Sequence, residues 1–274
     1  LRLFGNSELS LILPMILCSF LCLAISYLVF LKISNKKSSF IALFALSSTP
    51  LWIQYSRYAS PDIIFVLSIL LVILFFLKYI DSINYSNKYF YIFISGTFIS
   101  ISFFIRSYMA FVPVIALSPF FLFHLLRSKK IFTTIFASGI IFGSLPTLLN
   151  LYFAYKKFGI NGITALFDFA KKQAIGNIDI NNFFLIPIKF LYYTFPIGIL
   201  FILLFVFTRS NNKSNYPLLI FWYPFLSLTI LLFMSTSYPH YYLFLLTPLS
   251  IVFSDRLQSH SFRFTHSNTN IKYI

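Results

Sequence analysis

From Phe40 to Ile80 the chain is apolar for about 40 residues, interrupted only at Tyr55-Ser56-Arg57-Tyr58-Ala59-Ser60-Pro61-Asp62. As one helix this run would be about 60 Å long at ~1.5 Å per residue, twice a hydrocarbon core of ~30 Å. The chain must therefore turn near Arg57 to Asp62. Pro61 favours that turn, because the residue before a proline avoids helical backbone while proline suits a helix's first turn. Ser60 is then the expected N-cap and Asp62 opens the next helix, at a membrane surface.

The same length argument divides the rest of the chain. Tyr89 to Leu126 is too long for one crossing, which places a tight reversal at Arg106-Ser107. Pro217 to Phe253 is broken at Ser235 to His240. Nine spans are expected: Leu9 to Leu31, Phe40 to Trp52, Ile63 to Leu77, Tyr89 to Ile105, Met109 to Leu126, Ile131 to Phe153, Phe190 to Phe207, Pro217 to Met234 and Tyr241 to Phe253. The expected class is an all-α, polytopic membrane bundle, with one transmembrane domain over 1–253 and a disordered cytoplasmic tail over 254–274. A chain that is 59% hydrophobic and 10% charged cannot bury its apolar surface in water, which excludes a soluble enzyme. The abundant Phe, Ile, Asn and Lys point to an AT-rich genome.

The formal net charge of +15 does not imply nucleic acid, because the cations gather in short loops between spans. Lys32 to Ser39, Lys78 to Lys88, Arg127 to Lys130, Thr208 to Tyr216 and the tail hold 13 Lys and Arg. The alternate loops hold eight, five of them in the long loop Ala154 to Lys189. The first set is therefore cytoplasmic. Asp62, Arg106, His240 and the long loop then share the external face. Within that loop Ile163 to Ala170 reads as a short interfacial helix, and the loop as either a solvated connector on lipid headgroups or a substrate-binding flap. Asn84-Tyr85-Ser86 and Asn212-Lys213-Ser214 are chance glycosylation-like triplets, and Cys18 and Cys22 are small apolar residues.

No phosphate loop, dinucleotide fingerprint or zinc pattern is present. The candidate site residues are polar groups at the external breaks. Asp62 reads either as a carboxylate that takes a proton from, or orients, a hydroxyl at the membrane surface or as an acid satisfying a helix start. Arg57 is its nearest expected ion-pair partner. Arg106 either snorkels to lipid headgroups or holds the phosphate of a lipid substrate. His240, Tyr241 and Tyr242 read either as substrate contacts or as part of an aromatic belt.

Four segments together resemble the polyprenyl-phosphate-sugar-dependent glycosyltransferases of the GT-C class, the superfamily of dolichyl-phosphate-mannose-protein mannosyltransferases and aminoarabinose transferases. They are Leu3-Phe4-Gly5-Asn6-Ser7-Glu8 with Ile12-Leu13-Pro14, Ser48-Thr49-Pro50 through Tyr55-Ser56-Arg57 to Pro61-Asp62, Gly96 to Arg106, and Tyr238-Pro239-His240-Tyr241-Tyr242 through Pro248. The resemblance implies a polyprenyl-phosphate sugar donor reaching the site from the bilayer, and a lipid, glycan or protein acceptor at the outer face of a bacterial plasma membrane. It implies Asp62 near the acceptor or a bound cation and Arg106 near the donor phosphate. Two departures stand out. The family's lysine-glycine pair is Arg106-Ser107 here. The acidic residue of its first external loop would precede Leu1, so the chain is expected to be an N-terminally truncated fragment, inactive alone. A transporter or lipid flippase, or a non-catalytic scaffold on the same fold, is the alternative.

Overall fold

The computed structural model describes residues 8–165, 168, 180–207, 216–232 and 239–267. No strand occurs among them. The helices are α1 (Glu8–Ile33), α2 (Lys36–Ser47), α3 (Pro50–Tyr55), α4 (Asp62–Asp81), α5 (Tyr85–Arg106), α6 (Phe111–Leu126), α7 (Lys130–Phe158), α8 (Ile180–Tyr193), α9 (Ile197–Phe207), α10 (Tyr223–Leu232) and α11 (Leu246–Ser267). Short tight helices cover Ser107–Ala110 and Pro239–Tyr242, and a π-helical turn, Leu218–Trp222, leads into α10. Local chemistry sets several starts. Asn35 accepts from the Ser38 N–H at 2.9 Å, Asn84 from the Ser86 N–H at 2.9 Å, and Pro50 occupies the first turn of α3. Asn84 thus heads its glycosylation-like triplet as a helix cap.

Among the described residues four helical stretches are long and apolar enough to cross a membrane: Ile12–Ile33, Asp62–Asp81, Tyr85–Leu126 and Lys130–Phe158. The third contains both α5 and α6, and the expected reversal falls inside it, at Ser107. Other expected spans lie on shorter helices. The 12 residues of α2 and the 11 described for α9 each reach under about 20 Å, so length alone does not make them crossings. Three further boundaries differ from expectation. Pro61, not Ser60, is the N-cap of α4. Helix α7 runs on to Phe158, which takes up the start of the long loop; of 163–170, residues 163–165 are helical and half of the stretch lies outside the described residues. Helix α11 continues to Ser267 instead of ending at Phe253, because Ser254 and Arg256 are buried against the bundle.

The core is organised on α4, where Ile63, Ile69, Leu70, Ile73, Phe76 and Leu77 are almost fully buried. It packs against α1 and α5, and α5 packs in turn against α7. The α5–α7 seam is a contact of backbones: a Cβ added at Gly139 would lie 2.2 Å from the Phe93 carbonyl oxygen, and one at Gly143 2.4 Å from that of Thr97. Ser100 closes the seam by donating to the Ile140 carbonyl at 2.6 Å. Small residues and hydroxyls are what join helices in lipid, where apolar burial adds no drive.

Polar groups collect at the two ends of this bundle. At one end Lys32 pairs with Asp81, Tyr216 donates to the same carboxylate at 2.5 Å, and Ser34 meets Ser39 and Ser254. At the other lie Asp62 and Arg106. The 20 residues of α4 hold the two ends about 30 Å apart, the thickness of a hydrocarbon core.

Candidate functional site

The site is assembled where α4 begins and α5 ends. Asp62 is 4% exposed, which demands a partner for its charge. That partner is Arg106, across 44 residues of sequence, brought there by the antiparallel run of α4 and α5. One carboxylate oxygen of Asp62 takes the guanidinium. The other accepts from the Ser60 hydroxyl at 2.6 Å. Both oxygens are thus engaged by neighbours on separate elements, and the carboxylate is fixed. Arg57, the partner expected from proximity, is exposed and makes no ion pair with Asp62 among the described residues. Its place on an outward-facing turn cannot match the burial that selects Arg106.

Arg106 is followed by Ser107 at φ 46° and ψ −127°, backbone that favours glycine because a Cβ is crowded there. This is the position where the resembling family carries glycine. The tight turn Ser107–Ala110 then brings Tyr108 close to the guanidinium, where Tyr55 and Tyr241 also face it.

His240 stands beside the same arginine. Its ring lies 6.3 Å from that of Tyr55 and 4.5 Å, edge-on, from that of Tyr241. Its backbone N–H donates to the Tyr55 phenol. Burial, helped by the Arg106 charge, pushes the His240 imidazole down to about 4, so it is neutral at ordinary pH. Burial also raises the Tyr55 phenol. Tyr242 is buried and stacked on Tyr193, with ring centres 5.4 Å apart. The structure therefore brings together Asp62, Arg106, His240, Tyr241 and Tyr242 of the expected residues, and leaves Arg57 outside. Tyr55, Ser60, Tyr108 and Tyr193 join them without having been expected. Only Ser60 carried a usable sign, a hydroxyl two residues before a buried acid.

Tyr193 and the residue before Tyr55 also border a cleft of about 520 Å³, lined by Pro50, Leu51, Gln54, Leu191, Tyr193 and Ile199 among others. Its walls are mostly carbon. An apolar slot bordered by Gln54 and Tyr193, both neighbours of the tyrosine that faces a planar guanidinium, suits an amphiphile with an anionic head: the fork of donors on Arg106 that Asp62 does not occupy can take phosphate oxygens. Among the described residues no three His, Cys, Asp or Glu side chains come together to hold a metal ion.

Comparisons with known proteins bear on the family and the fold. The family model described as dolichyl-phosphate-mannose-protein mannosyltransferase matches residues 1–149. The fold is similar to the crystal structure of ArnT from Cupriavidus metallidurans bound to undecaprenyl phosphate, with a TM-score of 0.74 at 15% identity. That likeness covers 93% of this chain and 47% of ArnT, so the chain spans about half the length of that relative. No curated protein matches it in sequence.

Proposed function

The chain belongs to the dolichyl-phosphate-mannose-protein mannosyltransferase family, whose model covers residues 1–149 of its 274, and from that premise we propose that it serves a membrane glycosyltransferase that moves a sugar from a polyprenyl-phosphate donor to a lipid, glycan or protein acceptor. The observation that carries the reading is the buried Asp62–Arg106 pair at one end of a bundle of membrane length, with an apolar cleft reached from it through Tyr55 and Tyr193. ArnT, the similar fold, was solved with undecaprenyl phosphate bound. In this chain Arg106 holds the donor phosphate, the prenyl chain lies along the cleft wall of α3, α8 and α9, and Tyr241 and His240 border the sugar.

Asp62 has two tasks in sequence. Before the donor binds, it holds the guanidinium in place, and Ser60 keeps its second oxygen turned away. When phosphate oxygens draw on the same fork of donors, the carboxylate becomes the nearest base for an acceptor hydroxyl, or the nearest ligand for a divalent cation. As the sugar leaves the phosphate, negative charge grows on the departing oxygen, and a fixed guanidinium stabilises it. Orientation follows from the loop charges, which put this end outside and the Lys32–Asp81 end in the cytoplasm, and the expected nine crossings fit that alternation.

Binding of a polyprenyl phosphate to the purified protein tests the reading without requiring turnover. Arg106→Gln should weaken binding at least about tenfold, since a charge-assisted contact in a partly dry site is lost, and Arg106→Lys should keep part of it. Equal binding by wild type and the Gln variant would remove the arginine from the site. Labelling of a cysteine placed at Ser60 from the two sides of the membrane, with Cys18 and Cys22 replaced, tests the orientation; access from the cytoplasm alone overturns it.

A further inference from the structure

The turns at the Lys32–Asp81 end of the bundle hold a set of cations that the proposed transfer does not use. Lys78 lies in the last turn of α4, Lys88 in the first turn of α5, and Arg127, Lys129 and Lys130 at the α6–α7 turn. None of the five makes an ion pair among the described residues. Asp81, three residues after Lys78, is committed to Lys32 and Tyr216. Three of the cations lie over aromatic rings instead. Lys78 is 5.5 Å from the ring centre of Phe75 and 5.7 Å from that of Tyr91, Lys129 is 5.2 Å from that of Tyr85, and Arg127 is 3.8 Å from that of Phe123. A ring holds a cation in place without neutralising it. The ring under Lys129 is itself anchored: Tyr85 stacks on the buried Phe132 of α7 at 6.4 Å, and Phe132 also meets Tyr79 of α4 at 5.3 Å and Tyr89 of α5 at 5.5 Å. Beside these cations the same turns expose aliphatic side chains. Ile83 is 94% exposed, Leu126 81% and Ile131 46%. Water disfavours such side chains, and a nucleic acid or a free anion offers them nothing apolar in return. A headgroup layer over acyl chains satisfies both kinds of residue at once.

We propose that the α6–α7 turn, with the start of α5 beside it, is a binding site for an anionic phospholipid, its phosphate on Arg127 and Lys129 and one acyl chain against Leu126 and Ile131. Both cations are exposed, and the rings of Phe123 and Tyr85 set where their charges sit before any lipid arrives. Lys78 and Lys88 raise the local concentration of anionic headgroups along the neighbouring turn. The site is at the other end of the bundle from Asp62 and does not depend on the proposed glycosyl transfer, nor on which leaflet meets this end.

Native mass spectrometry of the protein released from nanodiscs of equal phosphatidylglycerol and phosphatidylcholine reads it directly. Wild type should retain phosphatidylglycerol in preference to phosphatidylcholine. Replacing Arg127 and Lys129 together by Gln should lower that preference about 25-fold, about fivefold for each basic residue at an anionic surface. Replacing Lys36 and Lys37 together by Gln removes the same charge from the first turn of α2 at the same end and should change it less than about twofold. Tyr85→Ala takes away the ring under Lys129 but leaves its charge, and should cost about threefold, while Tyr85→Phe should keep the wild-type preference. All five substituted side chains are exposed, so the variants keep their fold. Equal losses from the two double variants would mean diffuse attraction to any basic turn and would overturn the site. Equal retention of the two lipids by wild type overturns it too, as does an unchanged preference without Arg127 and Lys129. No effect of Tyr85→Ala would refute the ring-held geometry. Release of the lipid by millimolar inorganic phosphate would make the turn a site for a free anion and would likewise overturn the proposal.

Discussion

Replacing Asp62 by Asn asks whether Asp62 and Arg106 act as one unit. Their side chains are 6% and 24% exposed, so the change leaves a permanent cation facing an amide in a pocket with little water. Two unit charges about 4 Å apart interact by about 4 kcal/mol at an effective dielectric of about 20. The part of Arg106 that solvent reaches screens this, leaving a cost of roughly 2–3 kcal/mol for the single variant. Arg106→Gln should cost a similar amount, because it strands the carboxylate. Once either charge is gone the other is a burden, so the double variant should cost little more than one single, with a coupling of about 2 kcal/mol. Unfolding of all four proteins in mixed dodecylmaltoside and SDS micelles measures the cycle. Arg57→Gln, on an exposed turn, serves as control and should stay within about 0.5 kcal/mol of wild type. Strict additivity of the two singles, or an effect at Arg57 as large as that at Arg106, would refute the reasoning from burial.

Three further outcomes follow from the geometry. Ser107→Gly should raise stability in the same micelle assay by about 1 kcal/mol, since φ 46° with ψ −127° crowds any Cβ; no gain would mean the turn relaxes at no cost. Gly139→Leu should destabilise by about 2 kcal/mol or more and loosen α5 from α7, seen as faster hydrogen exchange at the seam, because its first side-chain carbon would fall 2.2 Å from a carbonyl oxygen. His240 is neutral in the folded state down to about 4, while the unfolded chain takes up its proton near pH 6.5. The unfolded state therefore binds more protons between those values, so stability should fall as pH drops from about 6.5 towards 4 and stay level above about 7. His240→Phe should flatten that slope, and Arg106→Gln should move it to higher pH.

Hydrophobic run length made the breaks at Asp62 and Arg106 legible, because a membrane permits only so many apolar residues before a turn. Pairing was not legible in the same way. Arg57 is five residues from Asp62 and Arg106 is 44 away, and proximity along the chain favoured the wrong cation; burial decided the matter, and burial is a property of packing. The tyrosines of the site were hidden for a different reason. With 18 Tyr and 38 Phe in the chain, an aromatic at a helix end carries no contrast, so Tyr55 and Tyr193 could not be told from a belt. The stretch after Phe253 read as tail because Ser, Asn, Thr and His lack an apolar period. Its helix is set instead by the docking of Ser254 on Ser34, a contact between residues 220 apart.

Helix α4 carries an acid at each end, and each is tied to a cation on a different helix: Asp62 to Arg106 of α5, Asp81 to Lys32 of α1. The first acid suits the positive end of its helix, whereas the second opposes the negative end and depends on Lys32 and Tyr216 to offset it. Between them about 30 Å of side chain is almost wholly hydrocarbon. The helix is thus a gauge of fixed length, pinned at both marks, that cannot slide or tilt far without pulling an ion pair into lipid. Membrane thickness becomes a variable the protein reads: in bilayers of short acyl chains the lipid must thicken around this gauge, and in thick ones it must thin to meet it.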